Sequence, residues 1–215
     1  MPALDLEPMP LPRGLPWAAL GMAGLGLGIA LTVRADLGLG PWDVLHQGIA
    51  ERTGLGIGVA GILAGMVVLL IAVPLGARVG VTTLVNVVLV GLVVDGSLVV
   101  LPEVTGAPLR WALVLAGVAL GGLGTALYLV PCLGAGPRDG LMTALAARGP
   151  SVRLVRTGIE LTALALGVLL GGSIGAGTVV WALAVGPVVQ QGLAWFTPLV
   201  RGRGLSTAQV PPHPG

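Results

Sequence analysis

Charged residues are sparse along the chain, and the gaps between them locate the elements. Residues 14 to 33 carry no charge between Arg13 and Arg34, and residues 53 to 77 carry none between Arg52 and Arg78. About 20 apolar residues in a helix cross the hydrocarbon of a bilayer, so each stretch predicts one crossing. A third runs from Val79 to Leu101, interrupted by Asp95 and closed by Leu101-Pro102-Glu103, and a fourth occupies residues 111 to 130. Residues 161 to 200 are uncharged throughout but broken by Gly171-Gly172-Ser173-Ile174-Gly175. A Gly-rich break in so long a stretch predicts two spans, the fifth starting near Val152 and the sixth following the break.

Two short stretches fall outside this scheme. "GLGPWDVL" at 38 to 45 and "GAGPRDGL" at 134 to 141 share the pattern Gly-x-Gly-Pro-x-Asp-x-Leu. Pro41 to Arg52 is 12 residues, about 18 Å of helix against roughly 30 Å of hydrocarbon, too short to cross. The copies are also in register. Gly38, Gly40, Pro41, Asp43, Leu45 and Arg52 align with Gly134, Gly136, Pro137, Asp139, Leu141 and Arg148 at a spacing of 96 residues. Gly80, Thr83 and Gly91 align with Gly175, Thr178 and Gly186 at 95. Repetition over so long a period signals duplicated architecture.

Each half then holds one span, one short Gly-Pro-Asp helix and two more spans. Three crossings per half place the second half upside down relative to the first, as in the inverted repeats of transporters. The expectation is an all-α polytopic membrane protein of about six transmembrane helices in a 3+3 inverted repeat, each half with one short broken or re-entrant helix. The alternative is eight crossings in a 4+4 arrangement of parallel repeats. Residues 1–14 and 199–215 are expected to be disordered tails, with the repeats at 15–102 and 108–198.

Composition fixes the class. The chain is 55% hydrophobic and 9% charged, with mean hydropathy +0.99, where soluble domains carry about 25% charged residues. A net charge of +2, scattered along the chain, is no nucleic-acid surface. The lone Cys132 excludes an internal disulfide and reads as a small core hydrophobe. With 37 glycines and 3% aromatics, helices must pack by close backbone approach. The matches Gly24-x3-Gly28, Gly61-x3-Gly65, Gly117-x3-Gly121 and Gly167-x3-Gly171 carry little weight in so Gly-rich a chain. The first residues lack a basic, cleavable signal pattern, so the first apolar stretch reads as a retained span. With a cytoplasmic N-terminus, eight arginines fall inside (13, 78, 138, 148, 153, 156, 201 and 203) and three outside (34, 52 and 110). That asymmetry puts both termini in the cytoplasm for either count of crossings.

Gly40-Pro41-x-Asp43 and its copy read as helix starts. Proline suits the first helical position, and an acid in the first turn complements the exposed N–H groups. On the plain reading Asp43 and Asp139 only cap helices. On the functional reading the two helices begin inside the membrane from opposite faces, and Asp43, Asp139, Gly40 and Gly136 meet near its centre at a substrate-binding site. Intramembrane acids are functional candidates by default. His46 follows Asp43 by three residues on one helix face and can share a proton with it; a packed or interfacial histidine is the alternative. Arg138 can pair across to Asp43, bind an anionic group, or serve as a cytoplasmic topology charge. Arg156 and Glu160, at i and i+4, read as a structural ion pair. Asn86 and Asp95, the latter aligned with Gln190, are weaker pathway candidates. No metal, cofactor or catalytic cluster is expected, and an enzyme is not expected.

The segments "ADLGLGPWDVLHQGIAERTGLGIG", "GAGPRDGLMTAL" and "LGGSIGAGTVVWALAVGPVVQ" resemble the YczE/YitT-like group of bacterial integral membrane proteins, on its YczE side, over residues 15 to 198. The resemblance implies a multi-pass protein of the bacterial inner membrane and brings no substrate or catalytic residues with it. The expected function, from architecture, is a small-solute transporter or channel whose partners are the lipid bilayer and a small solute. The alternative is a non-transporting membrane protein that scaffolds or assists a partner.

Overall fold

The computed structural model describes residues 6–77, 79–134 and 136–202. Among them lie eight helices and no strand: α1 (Leu11–Ala35), α2 (Pro41–Thr53), α3 (Ile57–Ala72), α4 (Val81–Val100), α5 (Ala107–Leu129), α6 (Pro137–Ala146), α7 (Val152–Leu170) and α8 (Ala176–Arg201). Four of them, α1, α4, α5 and α8, are long and apolar enough to cross a membrane, and α2 with α3 form an apolar pair bent by 111°. Large apolar side chains such as Val99 (87% exposed) and Leu183 (73%) face outward, as a lipid-facing surface requires.

The helix limits follow local chemistry. Prolines stand at the first position of α2 and α6, where a missing N–H costs nothing. Gly54 and Gly171 end α2 and α7 in the left-handed conformation. Ser151 caps α7 by accepting from Leu154 N at 3.2 Å. Helical structure extends into part of each stretch expected as a tail. Helix α1 starts at Leu11, inside the expected tail, and Met9 N donates to Pro131 O at 3.0 Å. Helix α8 runs on to Arg201, whose guanidinium donates to Val130 O and Glu7 O. The rest of the expected tails, 1–5 and 203–215, lies outside the described residues.

Close contacts give the helix directions. Gly21 abuts Gly124, and Gly28 abuts Gly117 and Gly121, so α1 and α5 run antiparallel along a glycine-lined crossing. A Cβ on Gly28 would stand 2.5 Å from Gly121 N, and one on Gly124 2.5 Å from Gly21 O. Two of the four small-residue matches therefore form the central seam. Helix α4 runs parallel to α1, with Gly26 against Val90 and Arg34 donating to Leu98 O. Helix α3 runs antiparallel to α4, with Gly58 against Gly91 and Gly65 against Val87. Residues 36–56 thus leave α1 and enter α3 at the same end of the bundle. In the second half α8 runs parallel to α5, with Gly122 against Val188 and Gly192 against Ala126.

Each short helix packs on the other half: α2 on α7, and α6 on α3. Arg52 donates to Leu170 O at 3.1 Å, on the last residue of α7, and Arg148 to Leu75 O at 2.9 Å, just past the end of α3. The extended segments before the short helices do the same. Gly38 (φ 101°) lies against Gly175, and Gly134 (φ 137°) against Gly80, where a Cβ would stand 2.4 Å and 2.8 Å from the facing backbone. Only glycine supplies both that φ and that approach.

Gly28→Val is expected to destabilise the protein by about 3 kcal/mol or more through overpacking. Gly96→Ala, with nothing within 4 Å of the added atom, is expected to be neutral or stabilising by about 0.5 kcal/mol. Thermal unfolding in mild detergent checks both, and equal losses at the two positions would argue against a tight seam at Gly28.

Candidate functional site

Helices α2 and α6 present the same local construction. Gly40 and Gly136 are extended N-cap residues with no side-chain cap, Pro41 and Pro137 open the helices, and Asp43 and Asp139 sit in the first turns. Both glycines are buried. A Cβ on Gly40 would stand 2.7 Å from Trp181 Nε1, and one on Gly136 3.4 Å from Tyr128 Oη, so each helix start rests against an aromatic group.

Two adjoining cavities lie at these helix starts. The first, about 110 Å³, is bounded by Asp43, His46, Gly136 and Arg138 together with the middle of α1 (Leu25, Ile29) and of α4. The second, about 80 Å³, is bounded by Gly40, Asp43, Arg138 and Asp139 together with Arg156 and Glu160. Trp42, Asp43, Arg138 and Trp181 line both. The fold therefore brings all six sequence candidates, Asp43, Asp139, Gly40, Gly136, Arg138 and His46, to these two chambers. Leu25 and Ile29 stand near the middle of α1, which sets the chambers well inside the bundle.

Asp43 is 5% exposed, and His46 Nδ1 lies 3.6 Å from its Oδ1, so the expected pair forms on one helix face. Asp139 accepts from Tyr128 Oη at 3.3 Å. Arg138 departs from one expectation: among the described residues it forms no ion pair, with Asp43 or any other acid, and it is exposed. It stands at the start of α6 and lines both chambers beside Asp43. Arg156 Nε and Glu160 Oε1 pair at 3.0 Å as expected, and both also line the second chamber.

The weaker sequence candidates separate. Asp95 accepts from Gly58 N at 2.7 Å and Val59 N at 2.9 Å, so it caps α3 from the neighbouring helix and is no part of either chamber. Asn86 lines the first chamber, and its buried Nδ2 has no hydrogen-bond partner among the described residues. Cys132 is no core residue: it is partly buried, with φ 54°, in the turn after α5. Among the described residues no three His, Cys, Asp or Glu side chains converge as a metal site.

Sequence reasoning missed the aromatic walls. Trp42 lies in the first copy of the motif, and Tyr128 and Trp181 sit inside apolar helices, where nothing in the local sequence marks them as wall residues. The signal was present in the repeat: Trp181 stands 95 residues after Asn86, and those two equivalent positions both line the first chamber.

Asp95→Ala is expected to cost about 1–2 kcal/mol of stability, as loss of a helix cap does, measured by thermal unfolding. In a Cys132→Ala background, cysteines at Trp42 and His46 are expected to react with a small charged thiol reagent in membranes, and a cysteine at the outward-facing Leu92, near the middle of α4, is not. Equal protection at all three positions would contradict a water-accessible chamber.

Residues 13–192 match a family of unknown function, DUF6198. The chain is 43% identical over 167 residues to an uncharacterized protein of Haemophilus influenzae, covering 77% of each. It is 35% identical over 176 residues to the uncharacterized membrane protein YczE of Bacillus subtilis, covering 79% of this chain and 80% of that one. It is 28% identical over 194 residues to YyaS of the same organism, covering 87% and 94%. No solved structure matches. A match over most of its length, joined to an all-helical fold with an apolar exterior, makes this chain a membrane protein of the DUF6198 family.

Proposed function

We propose that the chain is a small-solute transporter or channel of the bacterial inner membrane, built as a 3+3 inverted repeat with both termini in the cytoplasm. The observation that carries the proposal is the pair of adjoining chambers lined by both copies of the Gly-Pro-x-Asp motif. Half-helix N-termini that meet inside a membrane fold are the usual setting of transporter sites.

The directions of the helices support the inverted arrangement. Two parallel repeats would set α1 and α5 running the same way, whereas Gly21 meets Gly124 and Gly28 meets Gly117. Residues 36–56 return to the end they left, as a re-entrant segment does and a crossing helix does not. Irregular backbone at that depth is tolerated only where protein or a cavity satisfies it, and Gly177 N donates to Leu37 O at 2.7 Å while Thr82 Oγ1 donates to Gly134 O at 2.8 Å. Arg138 and Arg156, as chamber residues, leave the topology count. The cytoplasmic side then keeps six arginines (13, 78, 148, 153, 201 and 203) against three, and the orientation stands.

Proteoliposomes exposed to osmotic gradients of urea, glycerol, choline chloride and L-amino acids test the proposal by light scattering. At least one solute is expected to enter faster than into protein-free vesicles. Asp43→Asn and Asp139→Asn are each expected to slow that entry by about tenfold or more, the loss of one charge-assisted contact, with the elution profile unchanged. Folded protein that passes none of these solutes would favour a non-transporting membrane scaffold.

A further inference from the structure

We infer that the two chambers take a small zwitterion, a molecule of amino-acid size with an ammonium group, a carboxylate and an apolar body; the inference rests on the chambers being the solute site proposed above. The charge inventory is the first ground. Arg156 and Glu160 satisfy one another at 3.0 Å. Asp43, Asp139 and Arg138 form no such pair among the described residues: Asp43 lies 3.6 Å from His46, Asp139 accepts from Tyr128, and Arg138, near enough to both acids to feel their charge, stops short of ion-pair contact. Opposite charges in a poorly hydrated interior gain most by pairing. A fold that holds them apart at one cavity offers each sign to a ligand that carries both.

The backbone adds donors on the anionic side. Neither α2 nor α6 has a side-chain cap, and both starts line the chambers. Together with Arg138, a guanidinium suited to bidentate carboxylate contact, they favour the anionic end of a solute. Asp43 and Asp139 take the cationic end. Trp42, Tyr128 and Trp181 stand beside them, in a chain with only five Trp, one Tyr and one Phe. Aromatic faces near carboxylates stabilise an ammonium group.

Shape divides the solute. The walls of the first chamber on α1 and α4 are mostly aliphatic, with Leu25, Ile29, Val90 and Val94 and the single amide of Asn86, while the second is bordered by five charged side chains. A cavity of about 150 Å³ admits a molecule the size of benzene, so chambers of about 110 and 80 Å³ hold only a few heavy atoms each. A solute spanning both places its apolar body in the first and its charges where Asp43 and Arg138 border the two.

Binding to the full chain in detergent, by calorimetry, tests this with three matched probes. L-leucine carries both charges, 3-methylbutylamine lacks the carboxylate, and 4-methylpentanoate lacks the ammonium. Leucine is expected to bind, and each single-charge probe to bind at least about tenfold more weakly. Arg138→Gln is expected to bring leucine down to the level of the amine while leaving the amine unchanged. Asp43→Asn is expected to bring leucine down toward the acid. The wild-type probe series needs no variant, so a misfolded substitution does not remove the test. Amine binding as tightly as leucine would overturn the zwitterion in favour of a simple cation. Flux of another solute without leucine binding would overturn the zwitterion and leave the transporter standing. Neither flux nor binding would remove both.

Discussion

Two lengths of irregular backbone, residues 37–40 and 131–134, run into a fold whose apolar surroundings offer few hydrogen-bond partners. An unsatisfied peptide group in hydrocarbon costs several kcal/mol, and nearly everything else in the molecule is arranged around that cost. Each length is served by the other half of the chain. Leu37 O accepts from Gly177 N at the start of α8, and Gly134 O accepts from Thr82 Oγ1 at the start of α4. Glycines at 38 and 175, and at 134 and 80, allow the facing backbones to approach that closely.

The same exchange organises the helices. Because each short helix begins inside the bundle, its N-terminal donors, its first-turn acid and its neighbouring glycine open on a shared space. Helix capping and lining that space are therefore compatible roles for Asp43 and Asp139. A carboxylate in the first turn favours the helix start, and at this depth the same carboxylate borders a chamber. The departures from symmetry fall where selectivity would be set: Trp42 and His46 face Arg138 and Met142 at equivalent positions, and Trp181 stands where the other half has Asn86.

Much of this was legible in the sequence. The charge gaps located the long helices, and the 12-residue limit on Pro41–Arg52 separated the short helix from the spans. The 96-residue register paired residues that the fold places equivalently, including Arg52 and Arg148, each at a helix end of the opposite half. What escaped has physical reasons. Glycine spacing carried little information where glycine is so common, so the seam of Gly21, Gly28, Gly117 and Gly124 emerged only from the packing. Asp95 looked like a pathway residue because a cap supplied from another helix leaves no local pattern. Arg138 counted as a topology charge because its place beside the chambers is set by how α6 packs on the other half, which hydropathy does not register. Tyr128 and Trp181 were invisible as wall residues because a large side chain in an apolar helix reads the same whether it faces a core or a cavity.

The clasp that Arg52 and Arg148 make across the halves bears on how such a molecule can move. Helix α2 is fastened to α7 and helix α6 to α3 by packing and by these guanidinium contacts. A motion that swung one sequence half as a block against the other would tear both clasps at once. Helix α2 packs on α3 as well, and α6 on α7, so these four helices close into one ring of contacts in which neither half stands free of the other.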